Sequence, residues 1–267
     1  MPDIRTAVSS RLFYRKMGSG PAVVLLHGFP ESGTLWANIW DKLAGFTIIV
    51  SDFPGSGGSA LEKETSIADM AHCVNDILEA ENIATAVVAG HSMGGYVAFA
   101  FAAFYPSKVA GLSLVHSTPA ADDDEKVKMR LKAIEVIRKG GKNAFINQMI
   151  PNLFSPLFVQ SNMPAVQAQV EEASKMDERA LINFYSAMIS RKDHSFVLND
   201  ADFPVQWVIG ARDNVIYFKK ILEYCYTSHI NFVTFYRECG HMSMIEAPDK
   251  LGQDLDRFIN YCYYPNE

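Results

Sequence analysis

A serine flanked by glycines lies in the stretch Gly90-His91-Ser92-Met93-Gly94. An apolar run precedes the stretch and an apolar, alanine-rich segment follows it, which is typical of a sharp turn from a buried strand into a buried helix. Such a turn strains the backbone at the serine, so the residues two positions away must be small. It also presents the hydroxyl oxygen at a helix N-terminus, where developing negative charge is stabilised. Ser92 is therefore the candidate nucleophile.

A second motif, His27-Gly28-Phe29-Pro30, follows the first long apolar run. Together with the Ser92 turn, it makes the chain similar to the α/β-hydrolase family, in which a His-Gly pair at this place supplies half of an oxyanion hole. The resemblance implies that the backbone N–H groups of Phe29 and Met93 bind the developing oxyanion. His27 itself is expected to hold its loop by hydrogen bonds. The stretch 52–59 resembles a family turn that supports the nucleophile loop.

A serine hydroxyl needs a neighbouring base, and seven histidines compete for that role. Only His241 follows the last strand-like run and precedes a terminal helix, which places it at the same edge of the sheet as Ser92. Asp213 follows the preceding strand-like run and resembles the family's acid, which orients the histidine and stabilises its imidazolium. Some family members carry the acid one strand earlier, but residues 116–118 hold no carboxylate. The chain order of serine, aspartate and histidine is the family's order.

Short β-rich runs alternate with helical patterns, which predicts a mostly parallel sheet covered by helices. The resemblance implies the α/β-hydrolase fold, with an eight-stranded sheet flanked by helices. Strand signals lie at residues 12–17, 22–26, 46–50, 86–89, 109–115, 205–209 and 230–236. Helical patterns lie between or after these strand signals, at residues 67–81, 93–105 and 247–262.

The pattern changes between residues 118 and 199, where helical signals dominate and strand signals are absent. The acidic run Asp122–Glu125 suits a helix start, because carboxylates there interact favourably with the helix dipole. We predict a discontinuous α/β core, residues 1–117 and 200–267, with residues 118–199 forming an all-helical cap. An insertion at the carboxyl end of a strand lies over the face where open α/β sheets bind ligands.

The composition narrows the classes of partner. A net charge of −6 and a pI near 5.7 argue against a nucleic-acid partner, and no run approaches the ~18 apolar residues of a membrane span. The N-terminal residues lack an apolar stretch of signal-peptide length, and four cysteines without CxxC spacing are expected to be reduced. We expect a cytoplasmic protein, a monomer or homodimer, without cofactor or metal.

The loop Phe29-Pro30-Glu31-Ser32 and the nearby Trp36 look like the corresponding loop of epoxide hydrolases and haloalkane dehalogenases. Those enzymes attack alkyl carbons through an aspartate nucleophile. The serine at position 92 instead suits attack on an acyl carbon, which gives an acyl-enzyme that water hydrolyses. We predict hydrolysis of small to medium carboxylic esters. Carbon–carbon bond hydrolysis and cofactor-free perhydrolysis with the same triad remain open, as does a hydrolase-like ligand receptor.

The predicted cap offers an apolar lining for the acyl group, although residues at helical spacing more often form the core of the cap itself. About a third of the apolar candidates are expected to contact substrate; they are Met149, Phe154, Phe158, Met163, Met176, Phe184, Tyr185 and Met188.

Overall fold

The computed structural model describes residues 2–265, and their strands form a single sheet of eight, as the sequence predicts. The strand order is β1-β2-β4-β3-β5-β6-β7-β8. The strands are β1 (Asp3–Ile4), β2 (Leu12–Gly18), β3 (Ala22–Leu26), β4 (Thr47–Ser51), β5 (Ala86–His91), β6 (Val109–Val115), β7 (Val205–Gly210) and β8 (Asn231–Tyr236).

The sheet is parallel from β4 to β8, and only β1 and β2 run antiparallel to their neighbours. Helices cover both faces of such a sheet, which explains why its central strands are continuous apolar runs rather than alternating ones. Every residue of β3, β5 and β7 is buried. Because β3, β5, β6 and β7 are parallel neighbours, the loops after them meet at one edge of the sheet.

Eleven α-helices lie within the described part of the chain. Helix α2 begins with a capping box in which the side chains of Ser66 and Asp69 each accept a hydrogen bond from the other's backbone N–H. The helices are α1 (Ala37–Trp40), α2 (Ile67–Ala80), α3 (Met93–Phe104), α4 (Asp124–Val136), α5 (Lys142–Met149), α6 (Pro156–Ser161), α7 (Met163–Ser174), α8 (Glu178–Ser190), α9 (Phe218–Leu222), α10 (Ser243–Glu246) and α11 (Pro248–Tyr263).

The connection between β6 and β7 contains helices α4 to α8 and short turns of other helix types. We call residues 118–199 the inserted segment. Its first helix is capped by the Asp123 side chain and ends in a turn where Gly140 has φ +82°, a left-handed conformation that favours glycine. No helix within residues 2–265 combines the length and the hydropathy that crossing a bilayer would require.

Candidate active site

Ser92 occupies the turn between β5 and α3 in a strained conformation, with φ 50° and ψ −113°. Its backbone N–H donates to the carbonyl of Val115 at 3.0 Å, and its carbonyl accepts from the Ser117 hydroxyl at 2.8 Å. A Cβ at position 90 or 94 would collide with backbone atoms, which explains both glycines of the motif. The local geometry is therefore that of the nucleophile turn.

The two backbone amides expected to form an oxyanion hole lie beside this turn. Met93 is the first residue of α3, so its N–H has no carbonyl to bond within the helix. The Phe29 N–H, in the loop after β3, donates no hydrogen bond to any residue of 2–265. Both donors are thus available to a ligand oxygen near Ser92.

His241 and Asp213 form a short polar contact at the centre of the site. The Nδ1 atom of His241 lies 2.7 Å from Oδ2 of Asp213, and both side chains are buried. Oδ1 of Asp213 accepts from the backbone N–H groups of Val215 and Ile216 at 2.7 and 2.9 Å. Burial alone would raise the pKa of the Asp213 carboxyl, but His241 and His116 hold that pKa well below its ordinary value. Asp213 is therefore ionised and oriented.

The structure does not join Ser92 to His241 by a hydrogen bond. Among residues 2–265, the Ser92 hydroxyl has no hydrogen-bond partner. The two residues are instead linked through His91, whose Nε2 lies 2.9 Å from the carbonyl oxygen of His241 and whose ring centre lies 4.9 Å from that of His241. Contacts between a nucleophile and its base are often loose without substrate and tighten in the complex.

A second histidine, His116, lies against the same carboxylate, a contact that no motif or spacing in the sequence indicates. Its Nδ1 is 3.5 Å from Oδ2 of Asp213 and has no partner in hydrogen-bond geometry, while its Nε2 lies 2.8 Å from the Ser243 hydroxyl. Burial lowers the pKa of His116 to about 4, so the ring is neutral near pH 7. His116 follows β6, the place where some family members carry the acid.

Glu246 organises the loop that carries His241. Its carboxylate accepts from the backbone N–H groups of Gly240 and Met242 at 3.0 and 3.2 Å, and from that of Ser155 at 3.0 Å. The His241 N–H in turn donates to the carbonyl of Leu153 at 2.7 Å. Residues 153–155 of the inserted segment are therefore fastened directly to the histidine loop. In the sequence, Glu246-Ala247-Pro248 follows His241 closely, but this motif does not indicate which groups the Glu246 carboxylate contacts.

His27 and Asp52 make contacts that support the loops around the site. Both ring nitrogens of His27 are engaged, Nδ1 with the Gly28 carbonyl at 2.7 Å and Nε2 with the Phe53 N–H at 3.1 Å. Asp52 accepts from the N–H groups of Gly33 and Gly58, each at 2.8 Å. Glu31 accepts from the Gly28 N–H at 3.2 Å and contacts His91 at the same distance. The loop after β3 is thus fixed at several points.

Within residues 2–265, His116, Asp213 and His241 are the side chains whose ligand atoms lie close enough to one another to hold a metal ion. The 2.7 Å contact between His241 and Asp213 is typical of a charge-assisted hydrogen bond, and we interpret it as one. All four cysteines are free thiols, and burial raises the pKa of Cys239 to about 12. A reactive thiolate beside His241 is therefore not available near neutral pH.

A cavity of about 550 Å³ lies behind the histidine loop, between α6 and β8, and is not lined by Ser92, Asp213 or His241. The candidate nucleophile and base are only 9% and 2% exposed. The polar geometry around Asp213, and not this cavity, therefore marks the candidate site.

The apolar residues that we predicted as candidates for substrate contact lie in different places in the structure. Phe184 and Tyr185 of α8 contact the loop after β3, and their ring centres lie 6.4 and 4.5 Å from that of Phe29. Phe154 and Phe158 stack on each other and pack against the core, and Phe158 lines the large cavity. Met163 is 51% exposed. Helix α8 therefore brings two of the candidates against a residue of the predicted oxyanion hole.

The family model of the alpha/beta hydrolase fold matches residues 21–248, and the chain belongs to this family. It is an enzyme family, so the protein is a hydrolase of the α/β fold. The chain is similar over its full length to a thermophilic esterase from Thermogutta terrifontis, solved with malate bound. The TM-score is 0.92 at 24% identity, with 98% of each chain covered.

Two relatives carry names that state an activity. A pimeloyl-[acyl-carrier protein] methyl ester esterase from Pseudoalteromonas atlantica is 27% identical over 225 residues, which are 76% of this chain and 80% of the relative. A 2-hydroxy-6-oxononadienedioate/2-hydroxy-6-oxononatrienedioate hydrolase from Paraburkholderia phymatum is 26% identical over 276 residues, covering 93% and 91% of the two chains. The relatives thus include an ester hydrolase and a hydrolase of keto acids.

Proposed function

We propose that the protein hydrolyses carboxylic esters of small to medium size through an acyl-enzyme on Ser92. The observation that carries the proposal is the oriented, buried pair of His241 and Asp213 at the same sheet edge as the strained Ser92 turn. His241 takes the hydroxyl proton as Ser92 attacks the carbonyl carbon, and then delivers it to the leaving alkoxide. The N–H groups of Phe29 and Met93 stabilise the oxyanion. Water, activated by His241, releases the acid.

Two further points support an acyl substrate. Serine cannot form the alkyl-carboxylate ester that epoxide and haloalkane chemistry requires, so the loop around Phe29 is not by itself evidence for those reactions. One relative is named a methyl ester esterase, which is the reaction type proposed.

Replacement of the nucleophile tests the proposal directly. Ser92→Ala is expected to lower turnover of p-nitrophenyl acyl esters by at least about 10⁴-fold. It should also abolish labelling by a fluorophosphonate probe. Ser186→Ala, which removes an exposed hydroxyl bonded only to its own helix, is the matched control and should keep both signals. Turnover or labelling that survives in Ser92→Ala at the wild-type level would contradict the assignment.

Carbon–carbon bond hydrolysis of a ketone is the second candidate. The relative from Paraburkholderia phymatum favours it, because the substrate in that protein's name is an oxo acid. The same serine and histidine would serve, so only the substrate separates the two. A panel that contains methyl esters and 2-hydroxy-6-oxo dienoates distinguishes them by product analysis. Exclusive cleavage of the ketones would replace the ester proposal.

A further inference from the structure

A buried cluster of charge lies between the inserted segment and the core, and the proposed chemistry does not use it. We call Asp122, Arg130 and Arg191 the arginine cluster. Asp122 Oδ2 is 2.6 Å from Nε of Arg130, and its Oδ1 is 2.9 Å from a terminal nitrogen of Arg191. The three side chains are almost wholly buried, with exposed fractions of 0%, 7% and 2%.

The arginine cluster holds more positive than negative charge. Within residues 2–265, Asp122 is the one carboxylate paired with either arginine, so two guanidinium groups share a single negative charge. The Nε atom of Arg191 is also buried without a hydrogen-bond partner. Burying a charge is unfavourable unless it is paired and hydrogen-bonded. The terminal nitrogens of Arg191 also donate to the carbonyls of Met188 and Ala120, so within the described residues its buried Nε is the donor that remains for a further anion.

Each arginine lies one aromatic ring away from the candidate active site. The Arg191 guanidinium carbon is 3.9 Å from the centre of the Tyr96 ring, and Tyr96 is one turn of α3 after Ser92. The Arg130 guanidinium carbon is 5.6 Å from the ring centre of Tyr185, which packs against Phe29. An anion bound at the arginine cluster would thus lie beside the reacting centre rather than at a remote surface.

The Tyr96 hydroxyl is a hydrogen-bond donor that could bind a ligand. The side chain is 4% exposed, and its hydroxyl has no hydrogen-bond partner among the residues the structure describes. Burial would raise the pKa of Tyr96, but the positive charge of Arg191, followed by that of Lys126 and Arg130, lowers it below the ordinary value. A phenol in such a positive environment is a strong hydrogen-bond donor to an anion.

We infer that the arginine cluster and the Tyr96 hydroxyl bind a carboxylate of the substrate, so that the protein prefers esters of acids that carry a second, free carboxylate. This inference rests on the proposed ester hydrolysis and adds the substrate class. One turn of helix, about 5.4 Å, separates Ser92 from Tyr96, which places the second carboxylate a few carbon atoms from the scissile carbonyl.

The test compares charged and neutral esters of the same length. Monomethyl succinate, glutarate and adipate are assayed beside methyl butyrate, valerate and hexanoate, and kcat and KM are measured for each. We expect at least about a tenfold higher kcat/KM for one of the half-esters than for its neutral partner, because one desolvated ion contact exceeds 1.4 kcal/mol. The ratio should fall at least about tenfold in Tyr96→Phe, mainly through KM for the half-ester.

Tyr105→Phe is the matched control. Tyr105 follows the last residue of the same helix α3 and also faces a cation, Lys108, with 5.8 Å between the ammonium nitrogen and the ring centre. It lies away from Ser92, so this variant should keep the wild-type ratio. A preference for neutral esters in the wild-type protein, or a ratio unchanged in Tyr96→Phe, would overturn the inference and leave ester hydrolysis intact.

A binding measurement separates the inference from the proposed reaction. Glutarate at millimolar concentration should raise the unfolding temperature of Ser92→Ala, and the shift should be smaller in the variant that also carries Tyr96→Phe. Glutaramide, the uncharged analogue, should give no shift. If no ester is hydrolysed but glutarate gives its Tyr96-dependent shift, ester hydrolysis fails and the anion site stands. If glutarate and glutaramide act alike, the anion site fails whatever the reaction is.

Discussion

At the scale of single residues, two buried histidines contact one ionised carboxylate. His241 holds Asp213 in a short hydrogen bond, His116 contacts the same oxygen, and the His91 ring packs against that of His241. We predict His241 as the base, because Asp213 orients its ring from the Nδ1 side. His116 contributes to the environment that keeps the pKa of Asp213 below its ordinary value.

The burial of His116 predicts a pH dependence of stability. The pKa is about 4 in the folded protein and about 6.5 in an unfolded chain, so the unfolded state binds more protons between these values. Stability is therefore fully retained above about pH 6.5 and is lost as the pH falls towards 4, by roughly 2–3 kcal/mol for this residue. His116→Asn, which tolerates the residue's positive φ, should flatten the free energy of unfolding between pH 7 and 5.

Urea unfolding at both pH values measures that difference. His72→Asn provides the control, because His72 is an exposed histidine. An equally steep loss of stability in His116→Asn and the wild-type protein would show that other buried groups account for the acid sensitivity.

At the scale of elements, the histidine loop is held by a residue that does no chemistry itself. Glu246, at the end of α10, accepts from backbone N–H groups on both sides of His241 and from one in the inserted segment. A hydrogen bond to a charged group contributes about 1.5–3 kcal/mol. The carboxylate thus couples the position of the base to the position of residues 153–155.

Glu246→Gln tests this coupling. The amide has a single acceptor oxygen and no charge, so we expect kcat to fall about tenfold and the amides of Gly240, Met242 and Ser155 to exchange hydrogen faster. Glu238→Gln changes an exposed carboxylate of the same loop and should alter neither. Unchanged exchange at the Ser155 amide would show that the inserted segment is held to the loop by other contacts.

How far the sequence predicts these elements depends on their length. Continuous apolar runs locate β3 and β6 correctly and β5 to within two residues. The short elements β1, α6 and α9 were missed, because two to six residues are too few to show a period.

Some contacts of the candidate site could be predicted from the sequence and others could not. The pairing of Asp213 with His241 could be expected from motifs that follow strands. The contacts of Glu246 with Ser155 and of His116 with Asp213 could not, because they join residues 91 and 97 positions apart through tertiary packing alone. Side-chain contacts between separate elements leave no spacing pattern in a single sequence.

At the scale of the whole molecule, polar contacts fasten the inserted segment, which we predict to be a cap, to the core. One such pair of residues lies far from the histidine loop in sequence. Asn183 of α8 and Thr65 of the core form two buried hydrogen bonds of 2.8 Å with each other. The Asn183 oxygen accepts from the Thr65 N–H, and its amide donates to the Thr65 hydroxyl. We expect substrate entry to require movement of the predicted cap against such contacts.

Removal of this amide should loosen the segment and destabilise the fold. Asn183→Ala leaves the buried Thr65 N–H without an acceptor, which costs about 1–3 kcal/mol, and should lower the urea midpoint accordingly. Limited proteolysis should cut within residues 118–199 sooner than in the wild-type protein, since opening of the segment becomes easier. Asn147→Ala, at an exposed asparagine of the same segment, should leave both measurements unchanged. If Asn183→Ala lowered stability while the cleavage rate within the segment stayed the same, the segment would unfold only together with the core, and substrate would have to enter by a smaller movement.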